Sequence, residues 1–274
     1  MEKIIQIFPS ENEKWFIDGW KKWADKLILL DNIDQYKPDI TLVTPMKFYN
    51  SFILKIMKNK NPYIGINRPY LGNHTVKHTD QWRVSVNSFA NFNPKKTPYY
   101  RWPIAGLEYN EWKTKKVENI LIAPPIKGVP IFYETTVNLW AESIANSFPG
   151  ANIKIRYKKD QSKGKNKYAT LWTDFDWADL VISFMSASTV EAFWYGKKVI
   201  SLGGCPTQMC QSPSLKNWQD PKEPVNRKEF HNHIAWLQFK KEEWESGEAQ
   251  EMTIFYQGWP PDTEHYWPLT SLKI

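Results

Sequence analysis

Four hydroxyl side chains and one carboxylate lie close together in the segment from residue 178 to residue 204, ADLVISFMSASTVEAFWYGKKVISLGG. They belong to Ser183, Ser186, Ser188, Thr189 and Glu191. The apolar residues before them predict a buried strand, and the residues after them predict a short helix. A helix N-terminus behind a buried strand directs free backbone N–H groups at one point, where anions such as diphosphates bind. The hydroxyls would complete this phosphate site and Glu191 would accept hydrogen bonds from a ribose, so the segment indicates a nucleotide-linked substrate.

The same residues also fit a purely structural interpretation. Ser188 and Glu191 have the spacing of a capping box, in which the serine hydroxyl accepts a bond from the N–H of Glu191 and the carboxylate bonds back to the serine N–H. Such a capping box would only stabilise the N-terminus of the helix and would have no role in binding. Both interpretations stay open at this point.

Basic side chains follow two other predicted strands of the same half. Lys127 and Gly128 come after a strand at residues 118–125, and Arg156 and Lys158 come at or after the end of a strand at residues 152–157. The carboxyl ends of parallel strands share one sheet edge, so these groups should converge there. An arginine fork binds phosphate bidentately and a lysine supplies a point charge. We therefore expect Lys127, Gly128, Arg156 and Lys158 to contribute to the anion site.

The order of predicted elements alternates between strand and helix. In the first half we expect strands at 3–8, 39–44 and 62–67, and helices at 15–26 and 47–58. In the second half we expect strands at 118–125, 152–157, 179–184 and 198–204, with helices at 134–147, 189–195 and near 241–250. Such alternation predicts parallel sheets with helices on both faces. Three prolines interrupt the pattern between residues 91 and 118, which places a domain boundary near residue 113.

The second half resembles the donor-binding half of glycosyltransferases of the GT-B fold. The likeness covers residues 118–204 and rests on Ser186, Ser188, Thr189 and Glu191, on the YGKKVI stretch, and on Arg156 as a basic donor ligand. The resemblance implies an α/β fold with two Rossmann-like domains that face each other across a cleft. Residues 1–113 would bind the acceptor and residues 114–274 would bind a nucleoside-diphosphate sugar, with a UDP-sugar favoured. In place of the Arg-x-His-Pro of that fold, this chain has Arg-Tyr-Lys-Lys at 156–159.

The composition favours an anionic partner. The 274 residues carry a net charge of +7 and include 15 tryptophans and 13 tyrosines. Seven basic side chains lie between residues 154 and 167, and a second set of basic and aromatic side chains lies between residues 67 and 83. Aromatic rings among lysines suit the stacking of bases and the neutralisation of phosphates. The chain is similar in this respect to phage glucosyltransferases that modify hydroxymethylated bases, which implies DNA as the acceptor, with the base flipped out of the duplex.

Transfer of a sugar to a hydroxyl needs a group that takes up the acceptor proton. The candidates in the first half are Glu11, His74, His78 and Asp80, although Glu11 also suits an ordinary helix start and the histidines also suit a solvated surface. No Asp-x-Asp pair stands at a strand end, so we expect no required metal.

Several alternatives follow from the same residues. A nucleotide-sugar epimerase and a polysaccharide glycosyltransferase share the fold, and a non-catalytic nucleic-acid-binding protein would explain the basic and aromatic segments. The sequence contains no run of eighteen apolar residues, so we expect a cytoplasmic protein, in the host cytoplasm if a phage encodes it, with no membrane partner. Cys205 and Cys210 have no second cysteine pair and are expected to be reduced thiols.

Overall fold

The computed structural model describes residues 2–8, 14–45, 56, 59–67, 71, 81–87, 110–124, 135–157, 169–184, 186–202, 207, 210 and 215–257. The chain divides into two units. One contains Met1–Leu107 and Asn232–Thr270, and the other contains Glu108–His231 and Ser271–Ile274. The segment that begins at Asn232 belongs to the first unit, and the expected division into acceptor-binding residues 1–113 and donor-binding residues 114–274 stays a prediction.

The first unit contains a six-stranded sheet. In chain order its strands are β1 (Ile4–Ile7), β2 (Lys26–Leu29), β3 (Thr41–Pro45), β4 (Tyr63–Asn67), β5 (Gln81–Val86) and β10 (Gln238–Lys240). The spatial order is β10-β5-β4-β3-β1-β2, with β1 to β4 parallel and β5 antiparallel to both of its neighbours. Three α-helices of this unit have described bounds: α1 (Lys14–Trp23), α6 (Lys241–Ser246) and α7 (Glu248–Gln257).

Aromatic rings hold α1 against α6. Phe16, Trp20 and Trp23 recur at helical spacing on the buried face of α1, as the amphipathic pattern predicts. Trp244 of α6 lies 6.3 Å from Phe16 and 6.4 Å from Trp20 between ring centroids. Gly19 permits this close approach, because a Cβ atom at this position would lie 1.8 Å from the carbonyl oxygen of Trp244.

The second unit contains a four-stranded parallel sheet. Its strands are β6 (Asn119–Ala123), β7 (Asn152–Ile155), β8 (Leu180–Phe184) and β9 (Lys198–Leu202), in the order β7-β6-β8-β9. The helices are α2 (Val137–Asn146), α3 (Ala169–Trp177) and α4 (Ala187–Trp194), and α5 (Arg227–Ala235) begins in this unit and ends in the first. All five residues of β8 are buried, as expected for a strand covered on both faces.

The parallel strands agree with the sequence analysis, whereas β5, which runs antiparallel to both of its neighbours, was not expected. The basic and aromatic segment at 67–83 was expected to be a surface patch, but its last residues begin β5, and Arg83 is only 6% exposed. The helix expected near 241–250 is two helices, separated at Gly247, where φ is 93°. Helix α3 and strands β2 and β10 were not predicted as such, and the helix expected at 47–58 lies outside the described residues apart from Ile56.

Among the described residues, no helix is both long enough and apolar enough to cross a membrane.

Candidate functional site

The sheet of the second unit has a topological switch point between β6 and β8. The chain leaves β6 for β7 on one side, and it then returns to β8 on the other side of β6. The two right-handed crossovers that leave β6 and β8 run in opposite directions, so the helices after them lie on opposite faces of the sheet. The carboxyl ends of β6 and β8 therefore open into a crevice, which is where ligands bind in sheets of this kind.

Helix α4 begins at this crevice, directly after β8. Ser186 is its N-cap, and the Ser186 side chain accepts a bond from the N–H of Ser188 over 3.3 Å. The hydroxyls of Ser186 and Ser188 are 2.8 Å apart, and both residues are partly exposed. The first turn of a helix carries N–H groups without intrahelical partners and a partial positive charge. Two accessible hydroxyls and this helix end thus lie together at the switch point.

The other two hydroxyls have a structural role. Ser183 and Thr189 are both fully buried. The Ser183 hydroxyl donates to the Thr189 hydroxyl over 3.3 Å, and the Thr189 hydroxyl donates to the carbonyl of Ser186 over 3.0 Å. This chain of bonds fixes the end of β8 to the start of α4. It orients the two accessible serines, and the predicted role of Thr189 as a donor ligand stays a prediction.

The predicted capping box is wrong in its register. The helix begins at Ala187 after Ser186, so Ser188 is inside the first turn and Glu191 is in the second. The pairing of Ser188 with Glu191 would need Ser188 to keep the extended backbone of an N-cap, which Ser186 adopts instead, with φ −122° and ψ 140°.

Glu191, in the second turn of α4, is 3% exposed. Burial raises the pKa of its carboxyl well above the usual value, because the charged form loses its hydration. A neutral carboxyl both donates and accepts hydrogen bonds. Its predicted role as a ribose ligand stays a prediction.

Helix α2 brings a second N-terminus to the same edge, because it follows β6. Its N-cap, Thr136, accepts a bond from the N–H of Leu139 over 3.2 Å. Trp140 in the first turn is 3% exposed and packs on Phe184, the last residue of β8, with ring centroids 6.3 Å apart. The Trp140 indole N–H has no hydrogen-bond partner within the part of the chain that the structure describes. The crevice is thus flanked by two helix N-termini, and a buried donor lies beside one of its strand ends.

The structure pairs Arg156 with an acid that the sequence analysis did not single out. Its guanidinium and the ammonium group of Lys154 both bind the carboxylate of Asp174 on α3. The side chains of Arg156 and Asp174 are 10% and 3% exposed, whereas that of Lys154 is 49% exposed. Arg156 thus forms a largely buried ion pair against α3. Its predicted contact with a donor diphosphate stays a prediction.

Most of the other predicted site residues fall outside the described residues. These are Lys127, Gly128 and Lys158 of the anion site, and Glu11, His74, His78 and Asp80 among the proposed bases.

Two further polar arrangements were not predicted. At the end of β9, the buried hydroxyls of Ser201 and Thr207 are 2.6 Å apart, which extends the hydroxyl-rich edge beyond β8. Arg227, which is 1% exposed, donates to the carbonyls of Phe193 and Trp194 at the last turn of α4 and pairs with Glu223. Its charge complements the negative end of α4. Arginine and carbonyl partners this distant in sequence leave no local pattern, so sequence reasoning had no signal for them.

Comparison with known proteins yields structural matches only. No protein-family model matches the chain, and no curated protein matches it. Among solved structures, it is similar to the beta Kdo 2,7 transferase of KpsC from Thermosulfurimonas dismutans, with a TM-score of 0.49 and 12% identity over 91% of this chain and 99% of that chain. It is also similar to the beta Kdo 2,4 transferase of the same KpsC, with a TM-score of 0.46 and 13% identity over 86% of this chain and 90% of that chain.

Proposed function

We propose that this protein is a glycosyltransferase that moves a sugar from a nucleoside-diphosphate sugar to a hydroxyl group. The observation that carries the proposal is the switch point between β6 and β8, where two helix N-termini and the partly exposed residues Ser186 and Ser188 lie together. These groups suit a diphosphate, whose oxygens accept hydrogen bonds and whose charge is stabilised by the positive helix ends.

The same arrangement supports the chemical step. As the acceptor oxygen forms its bond to the anomeric carbon, the bond from that carbon to the diphosphate oxygen breaks and negative charge grows on the leaving group. Helix N–H groups and serine hydroxyls that already point at this charge stabilise the transition state without rearrangement. The acceptor proton passes to a base, for which Glu11, His74, His78 and Asp80 are the candidates.

For the acceptor we propose a hydroxymethylated base in DNA, and for the donor a UDP-sugar. The net charge of +7 and the 15 tryptophans support a nucleic-acid partner. Incubation with a panel of nucleotide sugars and with hydroxymethylated or plain DNA tests this, with added sugar mass read on the digested nucleosides. Donor hydrolysis without DNA glycosylation would leave the polysaccharide or epimerase alternatives, and no reaction with any donor would favour a non-catalytic binding protein.

The donor site itself is tested by Ser188→Ala. We expect the affinity for the nucleoside diphosphate to fall by about 1.5–3 kcal/mol, the loss of one hydrogen bond to a charged group. Ser188 is preferred to Ser186 because its replacement leaves the N-cap in place. Calorimetry with UDP measures the effect, and Ser147→Ala at the opposite end of α2 is the control. Equal affinities in Ser188→Ala and wild type would exclude this serine from the site.

A further inference from the structure

Two tryptophans of the first unit contact each other and remain partly exposed. Trp15 lies in the first turn of α1 and Trp82 lies on β5, with ring centroids 5.4 Å apart and planes inclined by 43°. The neighbouring rings of Phe16, Trp20 and Trp244 are at most 2% exposed. The core of this aromatic cluster is therefore complete without the outer surfaces of Trp15 and Trp82, which face solvent.

Both tryptophans lie at the edge of the sheet where ligands bind. Strand β5 is antiparallel to β4, and Arg83 is paired with Asn67, the last residue of β4. Trp82 therefore lies one residue beyond the carboxyl end of β4. Helix α1 follows β1, so its first turn, with Trp15, also starts at the carboxyl edge. Open α/β sheets bind their ligands along this edge.

Exposed lysines lie close to both tryptophans along the chain or in the strand register. Lys14 precedes Trp15 in α1. Lys240 pairs in register with Gln81, so its side chain leaves the sheet on the face opposite to Trp82, whose own register partner is Phe239. Both lysines are exposed, and neither forms an ion pair with a described residue.

Two of the three glutamate carboxylates on α6, close to Lys240 in the sequence, already have bonding partners. The carboxylate of Glu243 accepts a bond from the backbone N–H of Lys240, and Glu245 pairs with Lys241 at 3.4 Å, while Glu242 faces solvent. Partly exposed aromatic rings with an exposed lysine nearby are the combination that binds single-stranded nucleic acid, through base stacking and phosphate contacts.

We propose that Trp15 and Trp82 form a stacking platform for a base of a single-stranded or flipped DNA segment, with Lys14 at an adjacent phosphate. This platform deepens the proposed function, on which it rests, because it assigns the surface that presents the acceptor base.

The test is the affinity for a short, fluorescein-labelled single-stranded oligothymidylate, measured by anisotropy at low salt. Trp15→Ala and Trp82→Ala should each weaken binding about 5- to 150-fold, the effect of losing one base–aromatic stack. Trp15→Leu and Trp82→Leu should weaken it similarly, since leucine keeps the apolar packing but has no aromatic face. Trp177→Ala is the matched control, because Trp177 is 36% exposed on α3 of the second unit, and we expect wild-type affinity.

Three results would overturn the platform: wild-type affinity in the leucine variants, an equal loss in Trp177→Ala, or wild-type protein that binds maltohexaose but not the oligonucleotide. Melting followed by circular dichroism identifies any alanine variant that fails to fold, in which case the leucine variants decide. Wild-type protein that hydrolyses a nucleotide sugar but does not bind the oligonucleotide would reject the platform and retain the proposed chemistry. Oligonucleotide binding that depends on both tryptophans, without any hydrolysis, would reject the chemistry and retain the platform.

Discussion

Glu191 shows how burial determines the chemistry of a single side chain. The residue is buried in α4, and the loss of hydration raises the pKa of its carboxyl well above the usual 4.5. In the folded protein it therefore holds a proton that the unfolded chain releases. The stability that this group contributes is present in full below the unfolded pKa, and it is lost as the pH rises toward the folded pKa.

We predict that Glu191→Gln stabilises the protein at neutral pH. Glutamine has nearly the same shape and no charge to bury, so the gain should amount to about 1.4 kcal/mol for each unit by which the folded pKa is raised. Below the unfolded pKa the two proteins should differ little. Urea unfolding across this pH range measures the effect, with the exposed Glu242→Gln as the control. If the free energy of unfolding changes with pH in the same way in wild type and in Glu191→Gln, the burial of the Glu191 carboxyl would be contradicted.

Sequence reasoning located the hydroxyl cluster but not the role of each member. The apolar run before Ser183 and the small polar residues after it are local signals, and they place a helix start within two residues. The choice between Ser186 and Ser188 as N-cap depends on backbone dihedral angles, which are set by the packing of α4 on β8 and β9. Burial of Glu191 and the partner of Arg156 depend on other elements, and neither can be derived from spacing along the chain.

At the scale of the elements, Gly196 is essential for the turn between α4 and β9. Its φ of 96° lies in the left-handed region, and a Cβ atom there would lie 2.0 Å from the carbonyl oxygen of Glu111. The carbonyl of Gly196 also accepts a bond from the N–H of Lys113 over 2.7 Å. The turn therefore needs both the backbone freedom of glycine and the absence of a side chain.

We predict that Gly196→Ala destabilises the protein by more than Gly150→Ala does. Gly150 has a φ of 82° but open space around its Cα, so alanine there introduces backbone strain alone, about 1–2 kcal/mol. At position 196 the contact with the Glu111 backbone adds to this strain, since the backbone cannot move aside as the end of a side chain can. Thermal unfolding of the two variants gives the comparison, and equal losses would mean that the 111–113 segment does not pack against this turn.

The strands were predictable to the extent that they are apolar. Strands β1, β4, β6, β8 and β9 are apolar runs bounded by polar residues, and each was expected within two residues of its observed limits. Strand β5 alternates Gln81, Arg83 and Ser85 with apolar residues, and its basic and aromatic side chains indicated a surface patch instead. Its partner β10 has only three residues and is distant in sequence, so the antiparallel pair had no local signature.

At the scale of the whole molecule, helix α5 joins the two units of the chain and carries two buried histidines. Burial lowers the pKa of His231 to about 4, against an opposing hydrogen bond to the Arg227 carbonyl, and it lowers the pKa of His233 to about 4 as well. Both side chains are 4% exposed. The folded state thus requires neutral imidazole groups in the helix that connects its parts.

We predict that acid destabilises the protein through these histidines. The contribution is intact above the unfolded pKa of 6.5 and is lost as the pH falls toward 4. The free energy of unfolding therefore falls as the pH falls, which is opposite in sign to the effect of Glu191. His233→Gln should reduce this pH dependence because glutamine does not titrate. Guanidinium unfolding at a series of pH values measures both proteins. If the free energy of unfolding of His233→Gln depends on pH as strongly as that of wild type, His233 can be protonated within the fold.

The division of the chain was only partly predictable. The prolines between residues 91 and 118 mark the first crossing between units, since they interrupt the alternation of strand and helix. The return of residues 232–270 to the first unit follows from the pairing of β10 with β5 and from the packing of Trp244 on α1, and both contacts join residues far apart in sequence.

The claim that a nucleoside diphosphate binds at the switch point between β6 and β8 is tested most directly by hydrogen exchange with mass spectrometry. The protein is compared without ligand and with the nucleoside diphosphate that calorimetry shows to bind tightest. We predict slower exchange at the first amides of α4, after Ser186, and at the start of α2, while the amides at the carboxyl ends of both helices keep their rates. Binding that leaves the start of α4 unprotected, or no binding by any nucleoside diphosphate, would contradict the account.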